Sequence, residues 1–303
     1  MNQPWTEERS VPAELARELI GQQFPELAQA RVEPFGAGWD NTAYRVGGEW
    51  VFRFPRRRIA VELIETECRV LPLLGPHLPL AVPLPERVGR PSERYPWPFA
   101  GYRMLPGETA CRARLDAGQR AAAAEPLGRF LAALHGAPAD ELRTAGAPAD
   151  TLGRLDLAKR IPQVEERLDE LAGAGAIESP GPWRWIVDEA PADWTPGDAT
   201  PVHGDFYGRH LLVDARRQPC GVIDWGDVHL GDPAVDLSIA HGFLPPAARA
   251  AFRAAYGPID EPTWRMARFR ALHSAVVISV YGHAVADEAL AREGRAALTH
   301  LRG

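Results

Sequence analysis

Lysine is almost missing from this 303-residue chain: one of its 34 basic side chains is a lysine, Lys159, and the other 33 are arginines. A GC-rich genome, which favours Arg, Ala, Pro and Gly codons, produces the same skew, and 29 prolines and 28 glycines accompany it. The shortage still has chemical consequences. A Walker A phosphate loop needs a lysine after its glycines, and Lys159 lies in LAKRIP with none before it. The Ser-x-x-Lys acylase motif is absent, and Schiff-base chemistry would depend on Lys159 alone. Cysteine is scarce as well. Cys68, Cys111 and Cys220 are far apart, odd in number and without a CxxC, so neither a zinc ribbon nor a disulfide framework is suggested. No apolar run approaches the roughly 20 residues that span a bilayer. The opening MNQPWTEERS lacks the charged-then-apolar pattern of a signal peptide. These absences point to a reducing, cytoplasmic setting with no membrane partner. With 40 Asp and Glu the formal charge is −6, which argues against a broad nucleic-acid surface. The one dense basic run, RFPRRR at 53–58, reads as mostly solvated.

The remaining composition is that of a globular protein, with 46% hydrophobic and 24% charged residues. Residues 10–29 read as a helix, with Ser10 as N-cap and Leu15, Leu19 and Ile20 as its apolar stripe. Residues 31–55 change period, and AYRV and WVFRF carry the aromatic and β-branched residues of strands around a Gly-Gly hairpin turn. A helix is expected over 60–74, an extended Pro-rich stretch over 76–98, and a strand at FAGYRML, 99–105. From Pro106-Gly107 onward the pattern turns helical. Helices are expected at 115–135 and 152–173, the second kinked or broken at Pro162, and residues 174–200 read as loop. LLVD and CGVID form a second hairpin, and helices follow Asp232-Pro233 to the end. This order of a small β-rich lobe, a connector strand and a larger helical lobe is an α+β, two-lobed plan. The expected division is 1–105 and 106–303.

The informative stretch is His203-Gly204-Asp205-Phe206-Tyr207-Gly208-Arg209-His210, followed by Ile223-Asp224-Trp225-Gly226. Two carboxylates, Asp205 and Asp224, stand at strand ends or in tight turns, with a hairpin between them that can fold both onto one cleft. Phosphoryl transfer uses this layout: one carboxylate positions or deprotonates the acceptor hydroxyl, the other holds magnesium against the nucleotide phosphates. Read together with GDPAVDL at 231–237, these segments resemble the aminoglycoside phosphotransferase family, small-molecule kinases with a protein-kinase-like fold. HGD followed by four residues and a metal ligand is similar to that family's catalytic loop. IDWGD is similar to its version of the kinase DFG segment. The resemblance runs from about residue 33 to residue 240. It implies that Asp205 is the catalytic carboxylate, that Asp224 and His210 hold Mg2+, and that Asp236 braces the catalytic loop through backbone hydrogen bonds. His203 is expected to support the loop rather than act as a base, and the role of Asp232 stays open. His210 is a departure, because most of the family has Asn there and imidazole offers nitrogen where magnesium prefers oxygen. The His and the IDW spelling resemble the macrolide phosphotransferase branch. A His that packs without touching metal is the alternative.

The same resemblance assigns the nucleotide side. Gly36 and Gly38 in GAGWDN let backbone approach phosphates closely. Aligning WVFRF on the kinase strand that carries a phosphate-binding lysine places Arg53 in the lysine's position, with Glu67 of the following helix as partner. AGYRMLPGE resembles the connector between lobes, where the Arg103 carbonyl and the Leu105 amide would meet the base edge and Tyr102 would line the pocket. ATP and GTP are not separated. The acceptor is a small-molecule hydroxyl, on an antibiotic of macrolide or aminoglycoside type or on a metabolite; a nucleotide-binding pseudokinase is a further alternative. Asp188, Glu189, Asp193 and Asp198 suit a polycation, whereas Trp183, Trp185, Trp194 and Trp264 suit an amphipathic molecule.

Overall fold

The computed structural model describes residues 7–38 and 40–302, so the expectation for Trp39 in the Gly-containing turn lies outside the described residues. The chain begins with α1 (Ala13–Gln23), which packs Leu19 and Ile20 against a five-stranded antiparallel sheet. That sheet is built from β1 (Val32–Ala37), β2 (Asn41–Val46) and β3 (Trp50–Pro55), then α2 (Arg58–Leu74), then β4 (Pro85–Gly89) and β5 (Phe99–Arg103). Its strand order is β1-β2-β3-β5-β4. The β2–β3 register follows from Gly47 and Gly48, whose φ values of 59° and 78° supply the tight turn that L-residues with side chains avoid. One face of the sheet is aromatic: Phe52, Phe54 and Phe99 are essentially fully buried, covered by Tyr95 of the β4–β5 connection, with the Phe54 and Phe99 rings stacked at 4.6 Å. Each such side chain contributes about 1.5–3 kcal/mol by leaving water.

The second region runs β6 (Glu108–Thr109), α3 (Ala117–Ala122), α4 (Ala124–His135), α5 (Ala139–Thr144), α6 (Leu157–Gly173), α7 (Gly181–Asp188), β7 (Thr200–Val202), β8 (Leu211–Val213), β9 (Pro219–Val222), β10 (His229–Gly231), α8 (Ala234–Gly242), α9 (Arg249–Tyr256), α10 (Glu261–Ala284) and α11 (Glu288–Leu301). Its short strands form a β6-β8-β9 ribbon and a β10-β7 pair. Leu127, Phe130, Leu131 and Leu134 of α4 are fully buried, as their spacing requires. The α+β, two-lobed plan is therefore the one observed.

Several boundaries differ from expectation. The first helix starts at Ala13, because Pro12 takes the cap position in extended backbone and Ser10 caps nothing. It stops at Gln23, since Pro25 forces Phe24 out of helical geometry. The 115–135 helix splits at Ala123. Asp116 and Gln119 form a capping box for α3, and Pro126, which has no N–H to give the preceding turn, obliges α4 to restart. Pro162, by contrast, does not break α6. The Asp156 side chain caps the helix at Lys159 N, and burial of Val164, Leu168 and Leu171 outweighs the one lost backbone bond. α7 lies within the stretch read as loop, and β4 within the stretch read as extended. Trp183 and Trp264 are core residues. No helix among the described residues is long and apolar enough to cross a membrane, and the three cysteines are free.

Candidate active site

β7 delivers the chain into His203-Gly204-Asp205, and β9 delivers it into Ile223-Asp224. The two turns are riveted together by a fully buried imidazole. His203 Nε2 lies 3.0 Å from the Ile223 carbonyl, and its Nδ1 receives the Asp205 N–H at 3.3 Å. That pairing assigns the neutral tautomer with the proton on Nε2, and burial holds the imidazole below its usual range. Asp236, at the start of α8, is also fully buried. Its Oδ2 accepts from His203 N at 2.6 Å and its Oδ1 from Gly204 N at 3.0 Å. Burial pushes that carboxyl up, but His135 and the His203 amide more than offset it, so Asp236 stays an acceptor. The Asp232 side chain accepts from Gly197 N and Ala234 N, both at 2.8 Å, and so ties the loop before β7 to the start of α8. His203, Asp232 and Asp236 thus brace the loop.

Gly204 has φ +88°, and a Cβ there would stand 2.3 Å from the Asp227 carbonyl oxygen. Gly204→Ala is accordingly expected to cost about 2 kcal/mol or more, read as a lowered melting temperature together with reduced turnover. Arg154 closes the same junction. It donates to Gly204 O at 3.0 Å, to Asp150 at 2.7 Å and to Asp227. Neither Arg154 nor Asp227 carried a role in the sequence reading. Asp227 belongs to the IDWGD motif, but Arg154 has no local signal.

These braces leave two carboxylates facing one imidazole. The side chains of Asp205 and Asp224 are 40% and 49% exposed, at a cleft, whereas His210 is buried between them. His210 Nδ1–H donates to the Asp205 carbonyl at 2.7 Å and lies 3.7 Å from its Oδ2. With that proton on Nδ1, Nε2 points at Asp224 Oδ2 from 3.3 Å. Nε2 and the carboxylate oxygen thus face each other as two acceptors, the arrangement of two groups that would share a cation. Asp224 is held in the left-handed region, φ 67° and ψ 65°, a conformation that aims its carboxylate across the cleft. Desolvation raises the Asp205 carboxyl, against the pull of His210. For Asp224, burial also pushes upward, but His210 and Arg53 outweigh it and hold the carboxyl low.

Arg53 reaches Asp224 from the other lobe. β3 places its guanidinium Nη2 3.1 Å from Asp224 Oδ1, while Nη1 donates to both oxygens of Glu67 at 3.1 and 2.9 Å. The Glu67 side chain, on α2, is fully buried. Burial opposes the charge on Arg53, but the Glu67 and Asp224 carboxylates raise its pKa, so it stays cationic. Tyr102 packs beside this pair, its ring centroid 5.9 Å from the Arg53 guanidinium carbon. Gly36 and Gly38 lie at the end of β1 without positive φ, and a Cβ on either would meet nothing closer than about 4 Å of protein. They therefore hold open the space over the turn rather than serve its backbone geometry. The basic run is only partly solvated: Arg58 is exposed, as expected, but its two neighbours are engaged. Arg56 clamps this turn by donating to Gly38 O at 2.9 Å and also pairs with Glu7 at 2.7 Å, and Arg57 pairs with Asp40 at 3.5 Å. At the connector, Arg103 pairs with Glu49 and stacks on Trp50, and Met104 N–H is taken by Glu49 O. The Leu105 N–H has no protein partner among the described residues.

Among the described residues no three His, Cys, Asp or Glu side chains cluster as a protein-only metal centre. Asp224 offers the oxygen that Mg2+ prefers and would leave its remaining ligands to phosphate oxygens and water, whereas the His210 nitrogen is the poorer fit.

Comparison with known proteins shows the family and the fold. The model of the phosphotransferase enzyme family matches residues 31–271. The uncharacterized protein YcbJ of Bacillus subtilis (strain 168) is 26% identical over 201 residues, covering 63% of this chain and 62% of that protein, so the chain matches less than two thirds of that relative. Among solved structures, the GDP and kanamycin complex of APH(2")-IIia superposes with a TM-score of 0.69 at 24% identity, over 95% of this chain and 98% of that one. Macrolide 2'-phosphotransferase MphH from Brachybacterium faecium superposes with a TM-score of 0.61 at 23% identity, over 95% and 97%.

Proposed function

The chain belongs to the phosphotransferase enzyme family, and we propose that it moves the γ-phosphate of ATP or GTP to a hydroxyl of a small molecule. The observation that carries this reading is the bridge from Glu67 through Arg53 to Asp224 and on to His210 and Asp205, which joins residues 171 positions apart across the cleft. Residues 1–105 would hold the nucleotide. The open turn at Gly36 and Gly38 would cover its phosphates, Arg53 would pair with phosphate oxygens, Glu67 would hold Arg53 in place, and the Arg103 carbonyl and Leu105 amide would meet the base. Residues 106–303 would hold the acceptor.

In the reaction the acceptor oxygen attacks the γ-phosphorus, and the bond to the β-bridging oxygen breaks with its electron pair leaving on the nucleoside diphosphate. The hydroxyl proton passes to the Asp205 carboxylate and then to solvent. Mg2+, held by Asp224 and His210 with the phosphates, would neutralise charge on the transferring group. His203 and Asp236 keep Asp205 aimed without touching substrate. The acceptor is an antibiotic, as kanamycin is in the complex of the solved relative, or a metabolite.

Arg53→Ala should raise the nucleotide KM by about 10- to 100-fold, the loss of a charge-assisted contact. Lys159→Ala should leave it unchanged, since Lys159 only donates to Leu152 O on an exposed surface. Steady-state kinetics with ATP and GTP measures both. Equal effects from the two changes would mean that β3 has been aligned wrongly on the nucleotide.

A further inference from the structure

One buried cation beside Asp205 has no carboxylate partner. Arg270, on α10, is 9% exposed, and among the described residues no acidic group lies within ion-pairing distance of it. Of its five N–H donors, one has a protein partner: Nη1 donates to His273 Nδ1 at 2.9 Å, while the buried Nε is left without one. His273 is a true acceptor there. Burial and the charge of Arg270 hold its imidazole down to about 2, and its Nε2–H donates to Gln163 of α6 at 3.2 Å. Burial pulls Arg270 itself down to about 10, against the pull of Asp205, so it is charged at neutral pH.

The surroundings make this an unusual place for an unpaired guanidinium. Arg154 and Arg160 add positive charge around it. The carboxylates that could offset that charge are engaged elsewhere: Asp150 and Asp227 both hold Arg154. Arg160 is committed to Gly153 O, Leu152 O and Gln163. Ala271, the next residue of α10, lines a cavity together with Phe206, Tyr207 and Gly208 of the catalytic loop, so Asp205 is the carboxylate left near Arg270, with an excess of cations behind it. A buried ion without a partner is costly, and with Nε itself buried the three unused N–H groups on Nη1 and Nη2 are left to meet a carboxylate or phosphate. A polycationic acceptor would be repelled. Glu189, one of the four acidic residues that the sequence offered for such a substrate, is paired with Arg268, and the other three, Asp188, Asp193 and Asp198, are exposed.

We propose that the acceptor carries an anionic group, carboxylate or phosphate, which seats on Arg270 and so presents a neighbouring hydroxyl to Asp205. This rests on the phosphotransfer reading and specifies its substrate class. Arg270 then binds substrate without moving a proton.

The test offers wild-type protein Mg2+ with ATP or GTP and three sets of acceptors. These are hydroxy-carboxylates such as glycerate and homoserine with their neutral amides, phosphorylated polyols such as glycerol 3-phosphate, and the antibiotics kanamycin and erythromycin. Transfer to one of the anionic sets, with the amide or neutral polyol at least ten times poorer, is expected; which set responds identifies the anion. Arg270→Met should raise KM for the anionic acceptor by about 10- to 100-fold and erase its preference over the neutral analogue, with Arg270→Lys restoring part of it. A merely structural arginine would leave that preference intact, and that outcome overturns the inference. So does turnover confined to kanamycin or erythromycin. Where Arg270→Met does not fold, the Lys variant and the wild-type preference decide by themselves. Asp224-dependent nucleotide hydrolysis without transfer to any anionic acceptor overturns this inference and spares phosphotransfer; neither hydrolysis nor transfer overturns both.

Discussion

Asp205→Asn should lower phosphoryl transfer by about 10²- to 10⁴-fold, the range for removing a positioned proton acceptor, with the melting temperature little changed. The substitution is nearly isosteric. It keeps the backbone N–H that His203 accepts and the carbonyl that receives His210. The side chain is 40% exposed and makes no hydrogen bond that braces the fold among the described residues. What is lost is the basic oxygen that takes the hydroxyl proton. Nucleotide affinity should hold, because Arg53 and Glu67 are untouched. Unchanged turnover would remove Asp205 from the reaction, and a large fall in melting temperature would recast it as structural.

Glu293→Ala should lower stability by about 3–5 kcal/mol, the cost of stranding a buried ion. Glu293 is 4% exposed on α11, and its oxygens receive Arg120 of α3 at 2.9 and 2.5 Å. Arg120 also lies over the Phe243 ring at 4.6 Å. The same carboxylate abuts the catalytic loop, where a Cβ on Gly208 would be 2.5 Å from Glu293 Oε1. The pair therefore joins α3 and α11 beneath the loop that carries Asp205. At roughly 2–4 °C per kcal/mol for a chain of this order, the melting temperature should fall by about 10 °C. Replacing both partners, Arg120→Met with Glu293→Leu, should recover most of the loss, because apolar groups of similar size need no partner. A drop under about 2 °C in the single variant would show that water reaches the pair.

The site was more legible in the sequence than the helix boundaries were. Asp205, His210, Asp224, Arg53 and Glu67 sit in short motifs whose spacing reflects a turn or a strand, so their convergence follows from a hairpin and one sheet. Their roles in catalysis and binding remain proposals. Helix ends depend on competition between local breakers and distant packing. Pro162 reads as a breaker, yet Val164, Leu168 and Leu171 bury their side chains and carry α6 past it. Pro126, closer to a helix start, does force a restart. Arg154, Arg270 and the Arg120–Glu293 pair were invisible for another reason: in a chain with 33 arginines, nothing local separates a buried guanidinium from a solvated one. Arg56 shows the reverse error, a residue read as solvated that clamps the Gly38 carbonyl.

The most direct test follows the phosphorus. Wild-type protein with Mg2+, ATP or GTP and the acceptor sets above should produce a new phosphomonoester resonance in ³¹P NMR. Its growth should match nucleoside diphosphate release, and both should vanish in Asp205→Asn and Asp224→Asn. Tight nucleotide binding with no phosphomonoester from any acceptor, and no Asp224-dependent hydrolysis, would contradict phosphotransfer and leave a nucleotide-binding protein of the same fold.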